Sequence, residues 1–117
     1  MLLERKEIKR QGEEITTIEA YYDSTNIAKT QYVPERSYMF IFFNNGLVYS
    51  YSNIDRELYN KFEIAESQGV FFRNEIRKKP KVYNYLREFK LYEFEKQDIK
   101  QIIEGLKVGP DASKQNI

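Results

Sequence analysis

The densest group of cations in the chain lies between residues 73 and 81, where Glu75 is the one acidic residue. Its members are Arg73, Arg77, Lys78, Lys79 and Lys81. Cations on a helix face and at its exit contact phosphate groups in nucleic-acid-binding proteins. Cations near the end of a helix also stabilise the helix through its dipole, without any ligand. The cluster is therefore a candidate nucleic-acid site, and a solvated helix end is the alternative.

A second candidate for nucleic-acid contact is the pair Tyr49 and Tyr51, which alternate along a predicted strand. Aromatic side chains on a sheet stack on bases in several RNA-binding modules. Such rings are also well suited to receive the apolar face of a helix. We expect Tyr49 and Tyr51, with Phe40 and Phe42 opposite them, to pack in the core, and base stacking is the alternative.

Residues suited to catalysis near neutral pH are scarce in this chain. It contains no histidine and no cysteine, so it lacks the usual general base, the usual zinc ligands and every thiolate nucleophile. Alternating carboxylates such as Glu93 and Glu95 have no third ligand grouped with them, and the five glycines are too scattered for a phosphate-binding loop. We expect no enzymatic activity, no cofactor and no metal.

The length and net charge of the chain limit the number of domains and the kind of contact that these candidate residues can make. The chain has 117 residues, which fits one domain with a modest core. Its formal net charge is +1, so any contact with a polyanion must be local. The first residues turn charged after two leucines, and no apolar run approaches the length that spans a bilayer. We expect a single domain over residues 1–117 in the cytoplasm, with no membrane contact.

The predicted elements centre on one hairpin. An apolar run from Tyr38 to Phe43 is followed by Asn45-Gly46, the dipeptide that most easily forms a two-residue type I′ turn. Further strands are predicted at residues 15–22, 27–33 and 89–94. Helices are predicted at residues 55–62, 70–78 and 98–106, with Gly69 ending the first of them. The predicted fold class is α+β, a small antiparallel sheet with a central Asn-Gly hairpin, packed by two or three short helices.

The register of this hairpin decides which side chains share a face. A two-residue turn pairs Phe42 with Tyr49 and Phe40 with Tyr51 on the face that we expect under the helices. The other face then carries four apolar side chains, Met39, Ile41, Phe43 and Val48. Either the chain's own extensions cover them or a partner protein does, because large exposed apolar patches mark interaction sites. These four are the candidate partner-binding residues.

Four segments in order resemble the KTSC domain, a family named for the C-terminal region of some lysyl-tRNA synthetases. They are the Tyr-x-Tyr hairpin at 42–51, Glu-Leu-Tyr at 57–59, the Ala-x-Ser-x-Gly element at 65–69 and the Phe-Phe segment at 71–77. The resemblance covers about residues 22–83 and leaves an N-terminal arm or strand at 1–21 and a strand-helix extension at 84–117. It implies a small fold around the hairpin. The family includes stand-alone bacterial and phage proteins, and the synthetase context suggests RNA binding.

Two functions are expected from these observations. The first is non-enzymatic protein interaction or assembly through the Met39, Ile41, Phe43 and Val48 face. The protein would then form a homo-oligomer or be a minor structural component of a phage particle or another large complex, and a phage-encoded protein would lie in the virion. The alternative is an RNA- or DNA-binding module that uses the basic segment at 73–81.

Overall fold

A computed structural model of the chain describes residues 1–9, 11–12 and 14–115, with side chains up to residue 108. Within these residues, six strands form one antiparallel sheet whose spatial order equals the chain order. The strands are β1 (Leu2–Lys9), β2 (Thr16–Tyr22), β3 (Ile27–Val33), β4 (Tyr38–Phe43), β5 (Leu47–Ser52) and β6 (Asn84–Lys90). With the helices described next, this arrangement confirms the predicted α+β fold.

The helices come from two places in the chain. Helices α1 (Arg56–Ile64) and α2 (Gln68–Phe71) follow β5, and α2 continues directly into a π-helical turn over Phe72–Arg77. The long helix α3 (Glu93–Gln115) follows β6. A short 3-10 turn connects β3 to β4. Within the part of the chain that the structure describes, no helix is long and apolar enough to cross a membrane.

The main core lies between one face of the sheet and the helices α1 and α2. Tyr22 meets Phe62 edge-on at a centroid distance of 5.6 Å, and Tyr32 stacks on Tyr59 at 4.2 Å. The hydroxyl of Thr30 lies 2.9 Å from the Tyr22 hydroxyl and 3.1 Å from the Tyr59 hydroxyl. The polar atoms that these rings bring into the core are therefore hydrogen-bonded, as burial requires.

The opposite face of the sheet packs against α3. Ile103 forms a small cluster with Tyr21 and Ala28, to which the half-buried Leu3, Ile99 and Leu106 add. Successive side chains of a strand point to opposite faces, so Tyr21 and Tyr22 mark the two sides of β2. The molecule thus has three layers, with the sheet between α3 and the pair α1 and α2.

The hairpin of β4 and β5 has a different register from the predicted one. The observed partners are Phe42 with Val48 and Ile41 with Tyr49, one residue away from the prediction. The N–H of Gly46 donates to the carbonyl of Phe43 at 3.0 Å, and Gly46 has φ +91° while Asn45 does not have a positive φ. The loop is therefore a turn followed by a left-handed glycine, and the predicted two-residue type I′ turn is wrong.

This one-residue difference exchanges side chains between the two faces. Met39 and Ile41 are fully buried in the main core beside Tyr51, under α1 and α2. Val48 is also fully buried but points to the other face with Phe42. The prediction that Met39, Ile41, Phe43 and Val48 form one face is therefore wrong. The first three lie on the face under α1 and α2, and Val48 lies on the opposite face. The chain itself buries Met39, Ile41 and Val48.

Both terminal extensions are more regular than predicted. Residues 2–9, predicted only as an arm, pair with β2 as an edge strand. The strand predicted at 89–94 lies earlier, as β6, and α3 begins at Glu93, well before the predicted residue 98. The N–H of Tyr92 donates to the Glu95 carboxylate at 3.0 Å. This capping bond satisfies an amide at the start of the helix and accounts for the early beginning of α3.

Candidate nucleic-acid interface

A cleft of about 370 Å³ lies between the β4–β5 loop and the π-helical turn. Its lining residues are Thr25, Asn26, Phe43, Asn44, Asn45, Gly69, Phe72, Arg73 and Arg77. We call it the arginine cleft. The lining includes two cationic side chains and no carboxylate, so the chemistry of the cleft suits an anion.

The π-helical turn positions both arginines. Phe72 and Ile76 are buried in the main core, which fixes the inner face of the turn. Arg73 and Arg77 come directly after these two residues and lie on the exposed neighbouring face, as predicted. Neither guanidinium forms an ion pair with any residue that the structure describes.

Asn44 holds the opposite wall in place through its side chain and its backbone. The Nδ2 of Asn44 donates to the carbonyl of Ser24 at 2.9 Å, and the N–H of Asn44 donates to the carbonyl of Asn26 at 2.9 Å. These two bonds tie the β4–β5 loop to the β2–β3 connection. The wall is therefore preorganised before any ligand arrives, which lowers the entropic cost of binding.

Gly69 has a different role from the predicted helix stop. It lies inside α2 and does not have a positive φ, so the left-handed conformation predicted for it is wrong. A Cβ built at this position would lie 3.0 Å from the Nδ2 of Asn26. A side chain at this position would therefore require Asn26 to shift, because α2 and the Asn26 side chain approach each other closely at the cleft.

Two aromatic rings, Phe43 and Phe72, line the arginine cleft, and Tyr49 lies next to Phe43. Phe43 lies 5.5 Å from Phe72 and 4.9 Å from Tyr49, measured between ring centroids. Tyr49 in turn meets Tyr85 of β6 edge-on at 5.7 Å. Tyr85 is 51% exposed. Tyr51 is buried in the main core, as predicted, whereas Tyr49 is only half-buried. Tyr49 and Tyr85 together leave aromatic surface beside the cleft.

The tyrosine hydroxyls beside the cleft remain protonated near neutral pH. Burial raises the pKa of Tyr51 to about 12, although the nearby Arg77 guanidinium acts in the opposite direction. Burial also raises the pKa of Tyr49, and the adjacent carboxylate of Glu88 raises it further. Neutral phenols present apolar rings for stacking and keep a hydroxyl hydrogen that can be donated.

The structure brings only two of the five predicted cationic residues into the cleft. Arg73 and Arg77 line it, whereas Lys78 and Lys81 are exposed outside it. Lys79 donates to the carboxylate of Glu75 at 2.9 Å, and this bond raises the pKa of Lys79. The basic segment is thus divided into a pair that lines the cleft and cations that lie exposed outside it.

Sequence reasoning missed the amides and Tyr85. Asn44 and Asn45 were interpreted only as part of a turn, and Asn26 lies in a connection with no motif of its own. Tyr85 lies in the part of β6 that precedes the predicted strand. Within the described part of the chain, no group of three or more acidic side chains is placed to hold a metal ion.

Comparison with known proteins identifies the segment that builds this cleft. The family model of the KTSC domain matches residues 23–79. No curated protein matches the chain. The matched segment includes β3, β4, β5, α1, α2 and the π-helical turn. The resemblance seen in the sequence is confirmed, and the chain carries a KTSC domain, which spans residues 23–79 and contains every residue that lines the arginine cleft.

Proposed function

We propose that this protein is a non-enzymatic module that binds nucleic acid in the arginine cleft. The observation that carries the proposal is the pair Arg73 and Arg77, two guanidinium groups with no ion-pair partner among the described residues, in a cleft lined by no carboxylate. Unneutralised guanidinium groups suit phosphate, which they contact through two parallel hydrogen bonds.

The neighbouring groups also fit a nucleotide rather than a bare anion. Asn26 and Asn45 supply neutral amides that can pair with a base edge or a sugar hydroxyl. The half-buried ring of Tyr49 and the exposed ring of Tyr85 lie beside the cleft, and stacking of a base on an aromatic ring contributes about 1–3 kcal/mol. Phosphate, sugar and base thus each have a group of matching chemistry.

Assembly with a protein partner, the first function expected from the sequence, has less support. It depended on an apolar face formed by Met39, Ile41, Phe43 and Val48. Three of these side chains are buried by the chain itself, and the fourth, Phe43, lines the arginine cleft. The cleft is therefore the better-supported site, and nucleic acid is its better-supported ligand.

The test is a salt titration of binding with a variant that removes the two cleft charges. Fluorescence anisotropy with labelled RNA and DNA oligonucleotides of mixed sequence measures affinity from low to physiological salt. Arg73→Gln with Arg77→Gln should weaken binding and reduce the slope of log K against log salt by about 1.4, since each phosphate contact on a single strand contributes about 0.7.

A matched control removes the same charge from the same segment. Lys78→Gln with Lys81→Gln neutralises two cations that lie outside the cleft, and this variant should retain both affinity and slope. Equal losses in the two variants would mean that only general electrostatic attraction operates. If the unaltered protein binds neither RNA nor DNA at low salt, the proposal is wrong.

A further inference from the structure

A second cleft, of about 400 Å³, lies between α3 and the loops at the end of the sheet. Its charged lining residues are Lys96, Lys100, Glu104 and Lys107. Leu91, Ile99 and Ile103 supply apolar walls. We call it the lysine cleft. Most of its lining lies outside the KTSC domain, which contributes Ser24, Ala28, Phe43 and Asn44.

The two clefts lie on either side of one ridge. Phe43 and Asn44 line both of them. The hydrogen bonds from Asn44 to Ser24 and Asn26 hold this ridge in place. On the far side, the aliphatic part of Lys96 packs over the same loop, since a Cβ built on Gly46 would lie 3.3 Å from the Cδ of Lys96. The separation of the clefts is therefore fixed by the β4–β5 loop.

Two of the three lysines are available for a ligand. Lys107 is engaged, with its Nζ 3.1 Å from the carboxylate of Asp23. Lys96 lies 3.8 Å from Glu93, whose side chain is 72% exposed, and such surface pairs contribute little. Lys100 forms no ion pair with the residues that the structure describes. The cleft thus offers Lys96 and Lys100 against a single lining carboxylate, Glu104.

We infer that one strand of nucleic acid crosses the Phe43-Asn44 ridge and contacts both clefts, an inference that rests on the proposed function. Its phosphates meet Arg73 and Arg77 on one side of the ridge and Lys96 and Lys100 on the other. The apolar walls of the lysine cleft accept bases, whose faces are apolar enough to bury against Ile99 and Leu91.

The ridge selects a single strand over a duplex. A strand that enters both clefts must pass over Phe43 and Asn44, which line both. Duplex DNA has a persistence length of about 50 nm and stays straight over a distance as short as two adjacent clefts. A single strand bends at each nucleotide and unstacks its bases at modest cost. The ligand class is therefore single-stranded RNA or DNA that is long enough to span the ridge.

The test compares two lengths of labelled oligothymidylate, about 4 and about 12 nucleotides, which fall within the range of site sizes of single-strand-binding folds. The unaltered protein should bind the longer strand more tightly. Lys96→Gln with Lys100→Gln should weaken binding of the longer strand about tenfold and leave the shorter strand unchanged. Arg73→Gln with Arg77→Gln should weaken binding of both.

The outcomes separate this inference from the proposed function. If the Lys96 and Lys100 variant binds the longer strand as well as the unaltered protein does, the lysine cleft is not used, although the arginine cleft can still bind. If a duplex of the longer length competes as well as the single strand, the crossing of the ridge is wrong. If the unaltered protein binds neither strand, the proposed function itself fails. Circular dichroism confirms that each variant is folded.

Discussion

At the scale of single residues, Thr30 joins two tyrosines inside the main core. It is fully buried on β3, and its hydroxyl contacts the hydroxyls of Tyr22 and Tyr59. A buried hydroxyl that loses its partner is penalised by the full cost of its desolvation. Thr30 therefore contributes to stability beyond the area that it buries. Its one hydroxyl is the hydrogen-bond partner of two tyrosines, one in the sheet and one in α1.

We predict that Thr30→Val destabilises the protein by about 1–3 kcal/mol, since valine keeps the shape of threonine and removes both hydrogen bonds. Urea unfolding followed by circular dichroism measures the change. Thr17→Val on the neighbouring strand is the matched control, because the structure gives that half-buried side chain no hydrogen bond to the described residues. The two variants should differ in their unfolding midpoints, and equal midpoints would contradict the role of Thr30.

At the scale of elements, α3 is the layer that gives the sheet its second covered face. Its inward stripe consists of Ile99, Ile103 and Leu106 at helical spacing. The adjacent Ile102 points away and is 42% exposed, whereas Ile103 is 9% exposed. Two isoleucines next to each other in the same helix thus differ only in the side that they present to the sheet.

We predict that Ile103→Ala lowers the free energy of unfolding by about 2 kcal/mol, because it removes buried methyl and methylene groups and leaves a cavity against Tyr21. Ile102→Ala should change it by less than about 0.5 kcal/mol. Both substitutions alter helix propensity equally, so their difference measures packing alone. Urea unfolding of the two variants gives that difference, and a difference near zero would mean that α3 does not pack as described.

Elements were easier to predict from the sequence than their pairing. The apolar runs at 27–33 and 38–43 predicted β3 and β4 with the observed bounds. The register failed because Asn-Gly serves in two loop types, and only the φ of Asn45 separates them. β1 was missed because charged side chains dominate its exposed edge. Part of the arginine cleft was predictable, because helical spacing places Arg73 and Arg77 on one face. No local sequence pattern indicates that Asn26 lines the same cleft.

At the scale of the whole molecule, the KTSC domain contains most of the main core but not all of it. The main core includes Ile18, Ala20 and Tyr22 of β2, which precede the matched segment. β2 and β6 also occupy the two edges that β3 and β5 would otherwise leave unpaired. Unpaired edges invite association with other chains. In this protein, the extensions therefore pair both edges of the KTSC segment and supply most of the lysine cleft.

The buried tyrosines give the whole molecule an alkaline limit of stability. Burial raises the pKa of both Tyr22 and Tyr59 well above 10, while the pKa of an unfolded tyrosine is about 10. The two tyrosines therefore make their full contribution to the free energy of unfolding below pH 10. This contribution is lost as the pH rises toward their pKa values in the folded protein. Each group should cost about 1.4 kcal/mol of stability per pH unit in that window.

We predict that Tyr59→Phe reduces the pH dependence of stability above pH 10 by about 1.4 kcal/mol per unit, because phenylalanine cannot ionise on unfolding. Urea unfolding at several pH values between about 9 and 11.5 measures the slope. Below pH 9 the difference in stability between the variant and the unaltered protein should be constant, since neither tyrosine ionises there. A parallel pair of curves above pH 10 would show that Tyr59 titrates normally in the folded protein.

The loop at Asn44-Asn45-Gly46 has a consequence for how this sequence can change in evolution. Surface loops usually tolerate insertions and deletions. In this loop, one added or lost residue would move the register of β5 against β4 by one position, turning Tyr49 and Tyr51 away from the main core and Val48 into it. The length of this loop is therefore constrained by the packing of β5, and we expect changes in length to occur at the connection between β1 and β2 instead.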